Sequence, residues 1–128
     1  MLVREAFRFR EAEKGGPLEQ VDGVVELDGH LYLVEMKWWN HRLGTGDVAL
    51  HMVRVGHRGD VRGLIISASG FTEPAVTMCR DELIRGVFVL AELRELVFWM
   101  EREHSLRATL KEKVDRAMID KNPLHIVT

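Results

Sequence analysis

The sequence predicts an α/β protein in which an antiparallel hairpin continues into a mixed β-sheet flanked by helices. Three observations predict it. A run rich in Val, Leu and Tyr from Glu19 to Lys37 is interrupted by Asp28-Gly29, the dipeptide that a two-residue hairpin turn prefers. Two short apolar runs, Leu64-Ile65-Ile66 and Val87-Phe88-Val89-Leu90, have the character of strands buried on both faces of a sheet. Helical patterns lie between and after these runs, giving the βαβ rhythm of parallel strands joined by right-handed crossovers.

The hairpin carries the chemistry. With residues 28 and 29 as the loop, Leu27 faces His30, Asp22 falls opposite Glu35, and Gln20 falls opposite Lys37. Side chains alternate along a strand, so Glu35 and Lys37 share one face and Met36 takes the other. Directly opposed residues hold their Cβ atoms roughly 4.5–5.5 Å apart. Two carboxylates and an ammonium thus meet at one end of a largely apolar hairpin. Facing like charges destabilise a strand pair, and a desolvated carboxylate must be neutralised. A divalent cation resolves the conflict, because closely spaced hard oxygen ligands suit Mg²⁺ or Mn²⁺. The alternative is a solvated strand end where Asp22 and Lys37 pair at the surface. A bulge near Gly23 would turn Asp22 to the other face.

Asp22-Gly23, followed by Glu35-Met36-Lys37 at the end of an apolar strand, resembles the PD-(D/E)xK nuclease motif. The phrase Glu19-Gln20-Val21-Asp22-Gly23 resembles the Mrr-like restriction endonuclease branch, as does Ser67-Ala68-Ser69-Gly70-Phe71-Thr72-Glu73-Pro74-Ala75. The resemblance spans about residues 19–92. It implies a restriction-endonuclease-like fold and Mg²⁺-dependent cleavage of DNA phosphodiesters, usually by a homodimer. It also implies that Asp22 and Glu35 are metal ligands and Lys37 the catalytic lysine. Gln20, opposite Lys37, would orient the lysine or the attacking water, and alternation puts Glu19 on the other face. Family members generally carry a helix before the first strand, often with a Glu that completes the site. This sequence opens in a strand-like segment instead, so that Glu has no clear counterpart.

Length and composition set bounds. The 128 residues suit a single domain over 1–128, with a core over about 1–90 and C-terminal helices over about 91–121. A formal charge of −2 argues against bulk electrostatic attraction to nucleic acid, leaving local clusters of basic residues for that role. No apolar run reaches the length of a membrane span, and the N-terminus lacks a signal-peptide core. The single cysteine, Cys79, forbids an internal disulfide and a multi-cysteine zinc site, which suits a reducing cytoplasm. Cys79 itself reads as a small buried hydrophobe.

In chain order, residues 1–10 read as a strand with Val3, Phe7 and Phe9 on one face; Arg4, Arg8 and Arg10 either touch phosphate or form a solvated edge. Residues 11–17 read as a loop. Trp38-Trp39-Asn40-His41-Arg42 suits base stacking and phosphate contact, and equally a protein interface. Leu43-Gly44-Thr45-Gly46 reads as a mobile loop, with Asp47 capping a helix from Val48 to about Gly56 patterned on Leu50, Val53 and Arg54. His51 and His57, with no acid at ligand spacing, read as surface or supporting residues. Residues 57–63 form a turn. Thr72-Glu73-Pro74 starts a helix running to about Arg85, with Ala75, Met78, Cys79 and Leu83 inward and Gly86 as its stop. Leu93, Leu96, Val97 and Met100 mark the inward stripe of the next helix. Ser105 caps a last helix carrying Leu106, Leu110, Val114, Ala117 and Met118 inward and ending before Asn122-Pro123. These last two helices pack on the sheet or form a dimer interface.

The favoured function is a metal-dependent DNA endonuclease. Two rivals stand beside it: a nuclease-like domain that binds nucleic acid without cutting it, and an oligomerisation or regulatory module. A separate targeting domain in a longer chain fits any of the three.

Overall fold

The computed structural model describes residues 2–11, 19–101 and 105–127, with side chains described from Gly23 onward. Five strands, β1 (Leu2–Glu11), β2 (Glu19–Leu27), β3 (His30–Lys37), β4 (Arg62–Ser67) and β5 (Phe88–Glu92), form one sheet in sequence order. The first three are antiparallel, and β4 and β5 continue the sheet parallel to β3. Helices α1 (Thr45–Gly56) and α2 (Glu73–Glu82) make the two crossovers, while α3 (Leu93–Glu101) and α4 (Leu106–Asp120) follow β5.

The hairpin forms in the expected register. Asp28 and Gly29 both take positive φ, 51° and 82°, as a type I′ turn requires. Asp22 pairs with Glu35 and Gln20 with Lys37, with no bulge between β2 and β3. The irregularity lies on the other side of β2, where pairing with β1 slips between Val3 and Glu5 and again between Glu5 and Arg8. The side chains of β1, its three arginines included, and residues 12–17, expected to form a loop, lie outside the described residues.

Strand alternation sorts the core into two layers. Val25, Tyr32, Val34, Leu64, Ile66, Val89 and Ala91 point to one face and pack against Leu110, Val114 and Ala117 of α4. Ile65, Phe88 and Leu90 point to the other and pack against Val48 and Val55 of α1 and Ala75 and Cys79 of α2. The last helix is therefore part of the sheet's own core. Gly63 makes the α1 face close-packed: a Cβ there would lie 2.4 Å from Phe88 Cδ2. Gly63→Ala is expected to cost about 1–3 kcal/mol through overpacking, read as a lowered urea midpoint.

Several boundaries and faces differ from the sequence-based expectations. Leu43 is fully buried: its N–H donates to the Gly70 carbonyl at 3.0 Å, and its carbonyl accepts from Thr72 N at 2.9 Å. The segment expected to be a mobile loop is thus pinned to the exit of β4. Helix α1 starts at Thr45, with Gly44 as N-cap, and Asp47 acts from inside the first turn by accepting the Gly44 N–H at 3.0 Å. Its buried stripe is Val48, His51 and Val55, while Leu50 and Val53 are exposed.

Helix α2 begins as expected, Thr72 Oγ1 accepting from Ala75 N, but it closes at Glu82 in turns before Gly86. In α3 the buried residues are Glu95 and Trp99, and Val97 and Met100 are exposed, because a buried Lys113 on α4 draws Glu95 inward. Helix α4 is capped by Ser105 as expected, but its ends carry Leu106 and Met118 outward. Cys79 is buried, and burial pushes its thiol up to about 12, which makes it inert as a nucleophile.

Candidate active site

The site forms where β3 ends. Glu35 and Lys37, two residues apart, project to the α1 side of the sheet, and both are buried. A buried carboxylate needs partners, and Glu35 has several. Its Oε1 lies 3.2 Å from Arg54 Nη1 and 3.5 Å from Lys37 Nζ. Its Oε2 lies 2.8 Å from His51 Nδ1. His51 and Arg54 sit three residues apart on α1, so one helix face brings both over β3.

His51 is built into this arrangement from both ends of its ring. Nε2 lies 3.0 Å from the Leu33 carbonyl oxygen, which only accepts, so Nε2 carries a hydrogen. Nδ1, on the other side of the ring, faces Glu35 Oε2 at 2.8 Å. The ring edge also meets Phe88, with centroids 5.5 Å apart. Burial alone would push the Glu35 carboxyl up. The His51 hydrogen bond, then the charges of His51, Lys37 and Arg54, override it and hold the carboxyl below its ordinary 4.5. A carboxylate depressed on folding stabilises above its unfolded pKa. Glu35 therefore supports the fold fully at neutral pH, and that support fades as pH falls below 4.5 toward its folded value.

Lys37 has a second neighbour, since its Nζ lies 4.3 Å above the Trp39 ring. Trp39 stacks in turn on His41, with centroids 4.9 Å apart. The chain beyond β3 is tied down by the exit of β4: Ser69 Oγ donates to the Trp39 carbonyl at 2.6 Å, and Ala68 N–H donates to the Lys37 carbonyl at 2.9 Å. Trp38, by contrast, is exposed on the side of the strand opposite Lys37.

Of the residues the sequence singles out, Glu35 and Lys37 come together, and the backbone register sets Asp22 and Gln20 across from them. The side chains of Asp22 and Gln20 lie outside the described residues. Among the described residues, no three metal-binding side chains form a group. The donor type nonetheless suits a hard cation, with carboxylates from two adjacent strands at one register position. Of the two Glu35 oxygens, Oε1 faces Lys37 and an arginine, Arg54, that reaches solvent.

Sequence reasoning left His51 as a surface or supporting residue and gave Arg54 no place at the site. Their signal was available: a His-x-x-Arg pair on the crossover helix leaving a Glu-x-Lys strand, on the face that must pack back over that strand.

Comparison with known proteins adds the family. No curated protein matches the chain. Among solved structures, EndoMS in its apo form is similar with 20% identity and a TM-score of 0.47, over 72% of this chain and 40% of that one. AF1548, a protein of unknown function, is similar with 20% identity and a TM-score of 0.46, over 67% of this chain and 47% of that one. The chain thus spans less than half the length of either. Residues 1–100, most of the chain and all of the sheet, match the model of the Mrr catalytic domain, described as a restriction endonuclease. The chain belongs to the Mrr-type restriction endonuclease family.

Proposed function

We propose that this protein is a metal-dependent endonuclease that hydrolyses DNA phosphodiester bonds. The observation that carries the reading is the meeting of Glu35 and Lys37 at the end of β3, with Asp22 opposite Glu35, inside a family-matched sheet. Asp22 and Glu35 are the proposed ligands of Mg²⁺, with Mn²⁺ able to substitute. A bound Mg²⁺ would polarise a phosphoryl oxygen and acidify a water. Lys37 offsets the charge that develops on the phosphate, and Gln20 orients the lysine or the water. Trp39 and Glu35 fix the Lys37 ammonium from two sides, which limits the reorganisation needed when a phosphate arrives.

The substrate in this reading is DNA, cut by a homodimer in a reducing cytoplasm, with targeting left to a separate domain. In this reading the chain forms one domain over 1–128. No helix among the described residues is long and apolar enough to cross a membrane. The test is cleavage of supercoiled plasmid with Mg²⁺, Mn²⁺ or EDTA. Nicking or linearisation that EDTA abolishes is expected; metal-independent cleavage would remove the proposed chemistry.

One observation favours a second reading, a nuclease-like domain that binds DNA without cutting it. Both oxygens of Glu35 already face basic side chains, so a metal must displace at least one of them. Titration calorimetry with MgCl₂ separates the two. The enzyme binds Mg²⁺ and loses that binding in Glu35→Gln, whereas the inactive binder gives no metal heat while still retaining DNA in a gel shift.

A further inference from the structure

We propose that His51 is a positioning residue for Glu35, fixing the carboxylate through Oε2 so that Oε1 alone is offered to an incoming cation. The inference rests on the metal-dependent reading above and assigns a role to a residue outside the Asp22–Glu35–Lys37 set. Three observations carry it. His51 and Glu35 are both about 1% exposed, so neither exchanges its partner for water. Nδ1 lies 2.8 Å from Oε2, whereas Arg54 Nη1 and Lys37 Nζ lie 3.2 and 3.5 Å from Oε1. Finally, the ring is anchored at its far end on the Leu33 carbonyl, on the same strand as Glu35 and two residues before it.

That second anchor makes the ring a strut. A histidine bonded at one nitrogen can swing about its side-chain torsions. One held at both, with Phe88 against its edge, cannot rotate without breaking the buried hydrogen bond to Leu33 and leaving its 2.8 Å contact with Glu35. Glu35 Oε2 is then fixed relative to the backbone of its own strand. Oε1, whose partners are a lysine and a partly exposed arginine, is where the carboxylate can exchange a protein cation for a metal. Pinning one oxygen also restricts Glu35 to one-oxygen coordination, which suits the octahedral demand of Mg²⁺ better than a chelating carboxylate does.

The two anchors can be separated chemically. An asparagine amide reaches roughly where Nδ1 sits and keeps the bond to Glu35. A glutamine amide reaches roughly where Nε2 sits and keeps only the bond to Leu33. Mg²⁺ binding to the DNA-free full chain, measured by calorimetry, should weaken about threefold in His51→Asn, which loses the Leu33 anchor, and at least about tenfold in His51→Gln, which loses the contact with Glu35 itself. Wild-type-like affinity in His51→Gln, or equal weakening in both variants, would overturn the assignment.

Thermal melting of the metal-free variants decides the matter independently. If His51 acts through Glu35, the Tm loss of His51→Gln should shrink by at least half in a Glu35→Gln background. Additive losses would overturn the proposal. Should wild type bind no Mg²⁺, the metal reading falls by itself, and this melting cycle alone then supports or rejects the strut.

Discussion

Lys37→Ala is expected to lower metal-dependent plasmid cleavage by about 10²-fold or more, the usual effect of removing a single group that stabilises transition-state charge. The substitution leaves the register of the hairpin untouched and removes a contact that Glu35 shares with Arg54 at the same oxygen. The carboxylate keeps His51 and Arg54, so the protein should fold. Asp22→Ala and Glu35→Ala should abolish cleavage as well, through loss of the proposed metal ligands. Of these, Glu35→Ala should also lower the melting temperature, because it leaves His51 and Lys37 buried beside a vacated carboxylate position. Circular dichroism on each variant separates lost chemistry from lost fold. Lys37→Ala that is folded and cuts at the wild-type rate would remove the lysine from the mechanism.

The second large effect lies across the sheet from the site. Lys113 is fully buried on α4, its Nζ 2.8 Å from Glu95 Oε1 and 2.6 Å from the His125 carbonyl oxygen. Glu95 is equally enclosed, and its other oxygen accepts the Glu92 N–H at 2.7 Å, at the start of α3. Burial pulls the Lys113 ammonium below its ordinary value, and Glu95 opposes that pull. The pair therefore joins α3, α4 and the C-terminal segment through charges that have no access to water. Lys113→Ala strands the Glu95 carboxylate and is expected to cost about 3–5 kcal/mol, lowering Tm by roughly 10–20 °C for a domain of this size.

Replacing both, as Glu95→Leu with Lys113→Leu, removes the stranded charge and should melt above either single variant. It should not fully recover, because the Glu92 N–H and the His125 carbonyl each lose a partner at about 1–3 kcal/mol. A calorimetric melt of the double variant, its two single leucine variants and Lys113→Ala checks the order. Equal melting of Lys113→Ala and wild type would mean that water reaches the pair.

What the sequence determined by itself was whatever depends on neighbours a few residues apart, or on a turn that transmits register. Asp28-Gly29 demands positive φ at both positions, and that one constraint set Asp22 against Glu35 and Gln20 against Lys37. The caps at Thr72 and Ser105 were legible because each is a contact with a backbone N–H three residues on. The unbroken apolar runs Leu64-Ile65-Ile66 and Phe88-Val89-Leu90 marked strands covered on both faces, as the two core layers bear out.

The tertiary structure decided what joins residues with no local pattern between them. Periodicity patterned α1 on Leu50 and Val53 and marked Val97 and Met100 of α3 as inward, yet all four are exposed and these helices bury His51 and Glu95. In both helices a polar residue displaced an apolar one because its counter-charge arrived from another element, Glu35 of β3 for His51 and Lys113 of α4 for Glu95. Leu43 entered the core for the same kind of reason, a backbone bridge to Gly70 that exists only once β3 and β4 are side by side. A buried charge is worth its desolvation only when the partner is in place. Propensity and periodicity carry no term for that partner, so these contacts became readable only when the crossovers had brought the elements together.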